Sequence, residues 1–274
     1  MNWPQKTRDI FNHHMDSTHW DGFKFRDDDI IVGTWGKAGT TWTQQIVAQL
    51  LFNGDTNVNI DNISPWLDIR VMPKEVKFDI LEQQQHRRCI KTHLPVDALV
   101  FSPQAKYLYV ARDMPDIVWS MYNHMHYALD DFYDMINNTP GLVGPKLERP
   151  AGDVYQYFND FLEKDGYPCW AFWENIRTWW EIRELPNVKL LHFNDLKQDL
   201  EGEMRGIAAF LDIPIDEAAW PAIVEHCTFK WMKDNADMVA PQGGAMWENG
   251  GQTFINKGEN KRWKDVLSEG DIAR

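Results

Sequence analysis

Residues 33–42, GTWGKAGTTW, bring together a flexible turn, a cation and two hydroxyls, which are groups that bind phosphate. An apolar run precedes this segment and residues with helical spacing follow it, so the first N–H groups of a helix would face an anion. The nucleotide-binding pattern GxxxxGK[ST] does not fit, because Lys37 lies two residues before Gly39, and Thr40 and Thr41 follow that glycine. The segment therefore predicts a P-loop-like phosphate site with a different order of groups. A loop with a solvated lysine is the alternative.

Arg112 and Ser120 form a second candidate phosphate site. Arg112 directly follows the apolar run of residues 107–111, at the predicted carboxyl end of a strand, where open α/β sheets bind ligands. The residues DMPD then predict the start of a helix, which places Ser120 on that helix. A guanidinium and a hydroxyl can thus reach one phosphate group. For Arg112 alone, a surface ion pair is the alternative.

Lys91 and His93 form a candidate catalytic pair. They lie two residues apart at the end of a predicted strand, and alternate strand residues share a face. An imidazole with an ordinary pKa of about 6.5 removes a proton from a hydroxyl at neutral pH. We therefore expect His93 to be a general base, with Lys91 addressing the same reacting group. A structural role is the alternative for any single histidine.

The elements that position these groups follow from the hydrophobic pattern. Apolar runs alternate with segments of helical spacing, which is typical of an α/β protein with a largely parallel sheet flanked by helices. We see no repeat and no linker, so residues 1–274 are expected to form one domain. Residues 126–168 and 235–256 show little periodicity and several Pro or Gly, which suits mobile segments that cover a ligand. The predicted strands are residues 30–34, 88–92, 107–111 and 188–193, and helical stripes follow at 42–51 and 196–211.

Composition limits the possible partners and compartment. A net charge of −13 argues against binding to nucleic acid or to an acidic membrane. No run approaches the roughly 18 apolar residues of a membrane span, and the N-terminus lacks a secretory signal. The three cysteines have no CxxC spacing, which argues against a zinc site and against a disulfide framework. These features predict a cytoplasmic protein with reduced thiols.

At four places the sequence resembles the cytosolic sulfotransferase family. The segment TWGKAGTTW, residues 34–42, is similar to the family's TYPKSGTTW, and the family's KTHLP is unchanged at residues 91–95. RDMPDIVWS, residues 112–120, keeps the spacing of R-N-P-x-D-x-x-x-S. FINKGENKRWK, residues 254–264, resembles FMRKGxxGDWK. The resemblance therefore covers nearly the whole chain.

This resemblance implies transfer of a sulfuryl group from 3′-phosphoadenosine 5′-phosphosulfate (PAPS) to a hydroxyl or amine of a small molecule, without a metal. The product of the donor is adenosine 3′,5′-bisphosphate (PAP). His93 would be the general base, Lys37 would stabilise the leaving phosphate, and Lys91 would support the sulfuryl oxygens or anchor the donor. Arg112 and Ser120 would hold the 3′-phosphate. The positions implied to bind the donor are Lys37, Ala38, Gly39, Thr40, Thr41, Trp42, Arg112, Ser120, Phe193, Thr228, Phe229, Phe254, Ile255, Asn256, Lys257 and Gly258.

Some positions depart from the family's pattern. Gly36 replaces the loop proline, and Asn256 replaces an arginine that would bind phosphate, so weaker donor binding is expected. Phe193 stands where the family often has a tyrosine. Lys261 replaces a late glycine, and its charge could compensate for Asn256 if the loop folds over the donor. The dimer-forming segment after Lys264 is poorly matched, so monomer and homodimer both remain open.

Two other functions remain as alternatives. A P-loop kinase would need GK[ST] and a metal-binding aspartate after a strand, whereas Asp113 follows Arg112 in a different setting. A nucleotide-binding protein without activity would keep the loop, although the joint presence of Lys37 and His93 argues against it. Residues 124–168 are rich in aromatic residues and methionine and suit an apolar pocket, while packing in the core explains them equally well. We expect a phenol or a hydroxylated apolar small molecule as acceptor.

Overall fold

A four-stranded sheet lies at the centre of the computed structural model, which describes residues 2–274. All three pairs of neighbouring strands are parallel, in the order β2-β1-β3-β4. Ile31 pairs with Ile90 on one side and with Tyr107 on the other. The predicted parallel sheet is confirmed, and each predicted strand lies within one residue of an observed one: β1 Ile30–Thr34, β2 Cys89–Thr92, β3 Lys106–Ala111 and β4 Val188–His192.

Helices cover both faces of this sheet. The α-helices are α1 Thr40–Leu51, α2 Ile60–Ile63, α3 Lys74–Gln83, α4 Met114–His126, α5 Asp130–Asn138, α6 Val154–Glu163, α7 Phe172–Glu181, α8 Phe193–Gln198, α9 Leu200–Phe210, α10 Trp220–His226, α11 Phe229–Asp234, α12 Ala236–Val239, α13 Gly251–Ile255 and α14 Glu269–Ile272. Short 3₁₀ segments occur at Ser17–Trp20, Val96–Ala98, Pro241–Gly244 and Arg262–Asp265. Within residues 2–274, no helix has the length and apolar character that crossing a membrane requires.

The core forms on both sides of β1, because successive strand residues point to opposite faces. Ile30 and Val32 pack with α1 and α9 in one buried cluster. Ile31 packs in a second cluster with Ile90 of β2 and Trp179 of α7. A strand buried on both faces reads as a continuous apolar run, which is why the sequence pattern located β1 well.

Two segments differ from the sequence-based expectation. The stripe at residues 196–211 is two helices, because Asp199 ends α8 and its carboxylate accepts a hydrogen bond from the Gly202 N–H, 2.9 Å away, to begin α9. Residues 126–168, expected to be irregular, contain α5 and α6. Phe158 and Phe161 of α6 bury their rings in a third apolar cluster, so tertiary packing stabilises a helix that its flanking Pro and Gly residues concealed.

Candidate active site

A cavity of about 640 Å³ opens at the carboxyl end of the sheet. The loops after β1, β2 and β3 supply its floor, and α4 and the C-terminal segment supply its sides. This is the place where open α/β sheets bind ligands. The predicted site residues that line the cavity are Lys37, Gly39, Thr40, Thr41, Trp42, Lys91, His93, Arg112, Ser120, Phe193, Phe229, Phe254, Ile255, Asn256, Lys257 and Gly258.

The loop between β1 and α1 turns sharply at the two residues that bracket Ala38. Lys37 has a φ of 63° and Gly39 a φ of 122°. A Cβ on Gly39 would lie 3.0 Å from the Phe193 ring, so a larger residue there would be tightly packed and would strain the backbone. α1 then begins at Thr40, and the N–H groups of its first turn have no intrahelical acceptors. The loop thus presents backbone donors beside the Lys37 ammonium.

Three cations meet in the cavity. The ammonium of Lys37 lies 4.3 Å from the centre of the Phe254 ring, and that of Lys91 lies 4.3 Å from the centre of the Trp66 ring. Burial, together with the charges of Lys91 and Arg112, lowers the pKa of Lys37 to about 7. Burial lowers the pKa of Lys91 to about 8. Charges of one sign held this close are stabilised by an anion between them.

Arg112 retains hydrogen-bonding capacity inside the cavity wall. Its guanidinium donates to the Asn260 side chain at 2.7 Å and to the Lys37 carbonyl at 3.3 Å. Its buried Nε has no partner among residues 2–274, and neither has the indole Nε1 of nearby Trp119. Phe193 lies under the guanidinium at 4.1 Å. Buried donors without acceptors are costly, which indicates that this end of the cavity takes a ligand rich in acceptors.

His93 is held as a neutral imidazole with one nitrogen available. Its Nδ1 lies 2.7 Å from the Thr34 carbonyl oxygen, so Nδ1–H donates there and Nε2 carries the lone pair. Burial and the charges of Lys91 and Lys37 hold the pKa of His93 well below its usual range. The unprotonated Nε2 can therefore accept a proton at neutral pH.

Three residues that the sequence analysis did not identify hold His93 in place. The Asp68 carboxylate accepts the His93 N–H at 3.1 Å and the Trp66 indole N–H at 2.7 Å. The Asn175 side chain donates to the His93 carbonyl at 2.9 Å. The Trp66 ring packs edge-on against the imidazole at 4.7 Å. No spacing signal marks these residues, because they lie far from His93 in the chain, at residues 66–68 and 175.

His14 is a second imidazole in the cavity wall that sequence analysis missed. His13 Nε2–H donates to the Pro168 carbonyl at 2.7 Å, so His13 Nδ1 accepts from His14 Nδ1–H at 2.5 Å. His14 Nε2 is thereby left as an acceptor. The centre of the His14 ring lies 6.1 Å from that of Trp66 and 5.9 Å from that of Trp170. The same two tryptophan rings contact His93. The adjacent pair of histidines near the N-terminus was the only sequence signal.

Two residues assigned to the site from sequence, Ala38 and Thr228, lie outside the cavity wall, and so does Lys261, which was expected to compensate for Asn256. Ala38 is buried, and its N–H donates to the Trp35 carbonyl at 3.3 Å. The hydroxyl of Thr228 caps α11 by accepting the Trp231 N–H at 3.2 Å. Lys261 is exposed, and only its N–H turns inward, to Asp116 at 2.6 Å. The expectation that Lys261 compensates for Asn256 has no support from this placement, because its side chain does not line the cavity.

Comparison with known proteins identifies the fold and the family. Residues 27–274 match the family model described as "Sulfotransferase domain". The chain is 29% identical to a glycolipid sulfotransferase of Mycobacterium bovis, with 99% of this chain and 90% of the relative covered. It is 31% identical to mouse Sulfotransferase 1B1, with 90% and 79% covered. A crystal structure of retinol dehydratase in complex with androsterone and the inactive cofactor PAP has a similar fold, with a TM-score of 0.72 at 20% identity over 94% of this chain and 83% of that one.

The family match spans the loop after β1, the ends of β2 and β3 where Lys91 and Arg112 lie, and the C-terminal segment that lines the cavity. It confirms the resemblance seen in the four sequence motifs and does not favour the kinase alternative. The chain belongs to the sulfotransferase family.

Proposed function

We propose that this sulfotransferase uses PAPS as donor and that His93 removes the proton from the hydroxyl of a small, largely apolar acceptor such as a phenol. The observation that carries the proposal is the neutral His93 imidazole beside the Lys37 and Lys91 ammonium groups in one cavity. A base next to fixed cations serves a reaction in which a hydroxyl loses a proton while negative charge develops on a leaving group.

The residues of the cavity fit such a donor. The clustered cations and the unpartnered Nε of Arg112 both favour the binding of an anion with many oxygen acceptors. When bound, PAPS supplies the sulfuryl group. We assign the loop from Lys37 to Thr41, through its backbone N–H groups and hydroxyls, to the phosphosulfate end, and Arg112 with Ser120 to the 3′-phosphate.

Each catalytic side chain then has a separate role. His93 Nε2 accepts the proton from the acceptor hydroxyl, while the hydrogen bond from Nδ1–H to Thr34 fixes the tautomer. Lys37 supplies positive charge to the phosphate that becomes the leaving group. Lys91 lies at the same end of β2 as His93 and supplies positive charge to the sulfuryl group that is transferred.

Apolar residues of the cavity wall support an apolar acceptor. Trp66 and Trp170 flank His93, and Met125, Met135 and Phe132 line the same cavity. Aromatic and methionine side chains suit flat apolar molecules. Among the similar proteins, the mycobacterial relative is a glycolipid sulfotransferase, and its name supports an acceptor with an apolar part.

A product assay tests the proposed activity. Purified protein is incubated with sulfur-labelled PAPS, a mixed library of phenols, alcohols and amines, and EDTA in place of divalent metal. Mass analysis is expected to find sulfated phenols or hydroxylated apolar compounds, and the His93→Ala variant should form far less product. Label found only on amines or sugars would refute the proposed acceptor class, and absence of transfer to any member would count against the activity.

Compartment and assembly remain predictions. Cys89 and Cys227 are buried, unpaired thiols, which supports the proposed reducing, cytoplasmic location. Light scattering coupled to size exclusion decides between the monomer and the homodimer.

A further inference from the structure

Arg262 is a cation of the cavity wall that neither the sequence motifs nor the proposed mechanism uses. It lies in the 3₁₀ segment Arg262–Asp265, directly after exposed Lys261. Within residues 2–274, its guanidinium makes one hydrogen bond, from Nη1 to the neutral Asn256 side-chain oxygen at 3.2 Å. A guanidinium has five N–H donors, so most of its capacity is available to a ligand.

The position of Arg262 relates it to the proposed 3′-phosphate site. Its guanidinium carbon lies 5.3 Å from the centre of the Trp119 ring, and Trp119 is the neighbour of Ser120 on α4. Among residues 2–274, the indole N–H of Trp119 is buried without a partner. A cation with free donors and an unpartnered indole N–H thus lie in the same cavity wall as Ser120, whose hydroxyl is already assigned to phosphate.

The positive charges at this end of the cavity are partly offset by carboxylates, which would repel a phosphate. Each cation there therefore matters for the affinity of an anion. The charged residues of this part of the wall are Arg112, Lys197, Lys257 and Arg262 on the positive side and Asp116 and Glu259 on the negative side.

The contact between Arg262 and Asn256 explains an unusual pair of residues. In the family pattern FMRKGxxGDWK, the position of Asn256 is an arginine and that of Arg262 is an aspartate. Here the two side chains meet, with the arginine supplied from the later position. The arginine missing at position 256 is therefore accompanied by an arginine at position 262 whose guanidinium contacts the residue at position 256.

We propose that Arg262 binds the 3′-phosphate of the donor and that Asn256 positions its guanidinium. This inference rests on the proposed donor. It replaces the expectation that Lys261 restores the missing charge, because the Lys261 side chain is exposed while Arg262 lines the cavity.

Calorimetric titration of adenosine 3′,5′-bisphosphate and of adenosine 5′-phosphate tests this assignment. Arg262→Gln should weaken binding of the bisphosphate by roughly 10- to 100-fold, as expected for one charge-assisted contact, and change binding of the monophosphate by less than about threefold. Lys261→Gln is the matched control, since it removes the same charge one residue away, and it should leave both affinities within about twofold. Adding Asn256→Arg to Arg262→Gln should restore part of the lost affinity, because the two side chains meet.

The outcomes separate this inference from the proposed donor. Equal losses for Arg262→Gln and Lys261→Gln, or equal losses for both nucleotides, would overturn the assignment of Arg262. Wild-type protein that binds neither nucleotide would instead refute the donor site itself. Melting temperatures without ligand establish that each variant is folded, and Arg262→Lys, which keeps the charge but not the planar fork, should show an intermediate loss.

Discussion

The protonation state of Lys37 depends on whether an anion is bound in the cavity. Lys37 has a pKa of about 7 without an anion, because it is buried near Lys91 and Arg112. At pH 8 most Lys37 is neutral, and a bound polyanion favours the charged form and raises the pKa. Binding of adenosine bisphosphate at pH 8 should therefore take up roughly one proton, and at pH 6, where Lys37 is already charged, the uptake should nearly vanish.

Calorimetry in buffers of different ionisation enthalpy measures this uptake. Lys91, with a pKa of about 8, contributes a smaller share, so Lys37→Met should remove most of the effect. The observed binding enthalpy at pH 8 should change with the buffer for wild-type protein much more than for this variant. Buffer-independent enthalpies for wild-type protein at pH 8 would show that Lys37 is fully charged before the anion arrives.

His93 and Lys37 are proposed to be different kinds of catalyst, and acceptor acidity distinguishes them. His93→Ala should lower kcat by roughly 10²–10⁴ with little effect on donor binding. The loss should be smallest for the most acidic phenols, which are already partly ionised and need less help from a base. Lys37→Ala should cost a similar factor for every phenol, because charge develops on the leaving phosphate whatever the acceptor.

The measurement is kcat for both variants over a series of substituted phenols, with chemistry shown to limit the wild-type rate for each. Parallel losses in the two variants would mean that His93 is not the base. Asn175, which holds the His93 carbonyl from outside the cavity wall, offers a comparison. Asn175→Ala should displace the imidazole, so its loss in kcat should be smaller than that of His93→Ala and should likewise be least for the most acidic phenols.

Sequence reasoning reached the residues that carry a motif and missed those that depend on the fold. His93, Lys37 and Arg112 follow strands and keep a fixed spacing, so their neighbourhood could be predicted. Asp68, which accepts the His93 N–H, and His14, which lines the cavity, come from unrelated segments, and nothing in their local sequence marks them. Chain order likewise suggested Lys261 as the replacement cation, whereas the turn at that residue, with a φ of 65°, presents Arg262 instead.

Among the elements, the strands, α1 and the start of α4 were predictable, whereas α5 and α6 were not. β1 and most of β3 are buried on both faces and give continuous apolar runs, which explains why their bounds could be predicted to within one residue. α5 and α6 are short and amphipathic, and they are stabilised by packing against the third cluster rather than by propensity. Strand order also lies beyond sequence pattern, because it depends on which helices cover which face.

The C-terminal segment, residues 235–261, is proposed to act as a lid over the donor. Phe254 lies on the Lys37 ammonium, and Asn256 to Gly258 line the cavity. A Cβ on Gly258, which has a φ of 64°, would lie 2.4 Å from the Phe229 ring, so the segment is closely fitted at one point. Elsewhere it consists of short helices and turns, which are expected to open readily without ligand.

Hydrogen exchange with and without adenosine bisphosphate tests this lid. Amides of residues 235–261 should become protected on binding, whereas those of α9, which contributes no residue to the cavity wall, should not change. If the lid must open before the product leaves, product release would limit turnover. A Gly258→Ala variant, in which the packing against Phe229 is disturbed, should show less protection. Unchanged exchange in this segment would exclude it as a lid.

At the scale of the whole molecule, the charge distribution and the location of the site combine to predict ligand selectivity. The chain carries a net charge of −13, yet Lys37, Lys91 and Arg112 meet in one cavity. An anion is therefore attracted by the cavity and not by the surface in general. Selectivity then depends on which phosphates the cavity residues can reach, and the proposed 3′-phosphate site distinguishes PAP from ATP.

Adenosine 3′,5′-bisphosphate should accordingly raise the melting temperature while ATP at the same concentration scarcely does. A ligand at 100 times its Kd stabilises the folded state by about 2.7 kcal/mol. For a chain of this size, 1 kcal/mol corresponds to about 2–4 °C, so a rise of about 5–10 °C is expected. Arg112→Ala should remove most of the difference between the two nucleotides, because it takes away a 3′-phosphate contact that ATP does not use. Equal stabilisation by ATP in the wild-type protein would mean that the cavity recognises the 5′-phosphates alone, and the assignment of Arg112 and Ser120 would then be wrong.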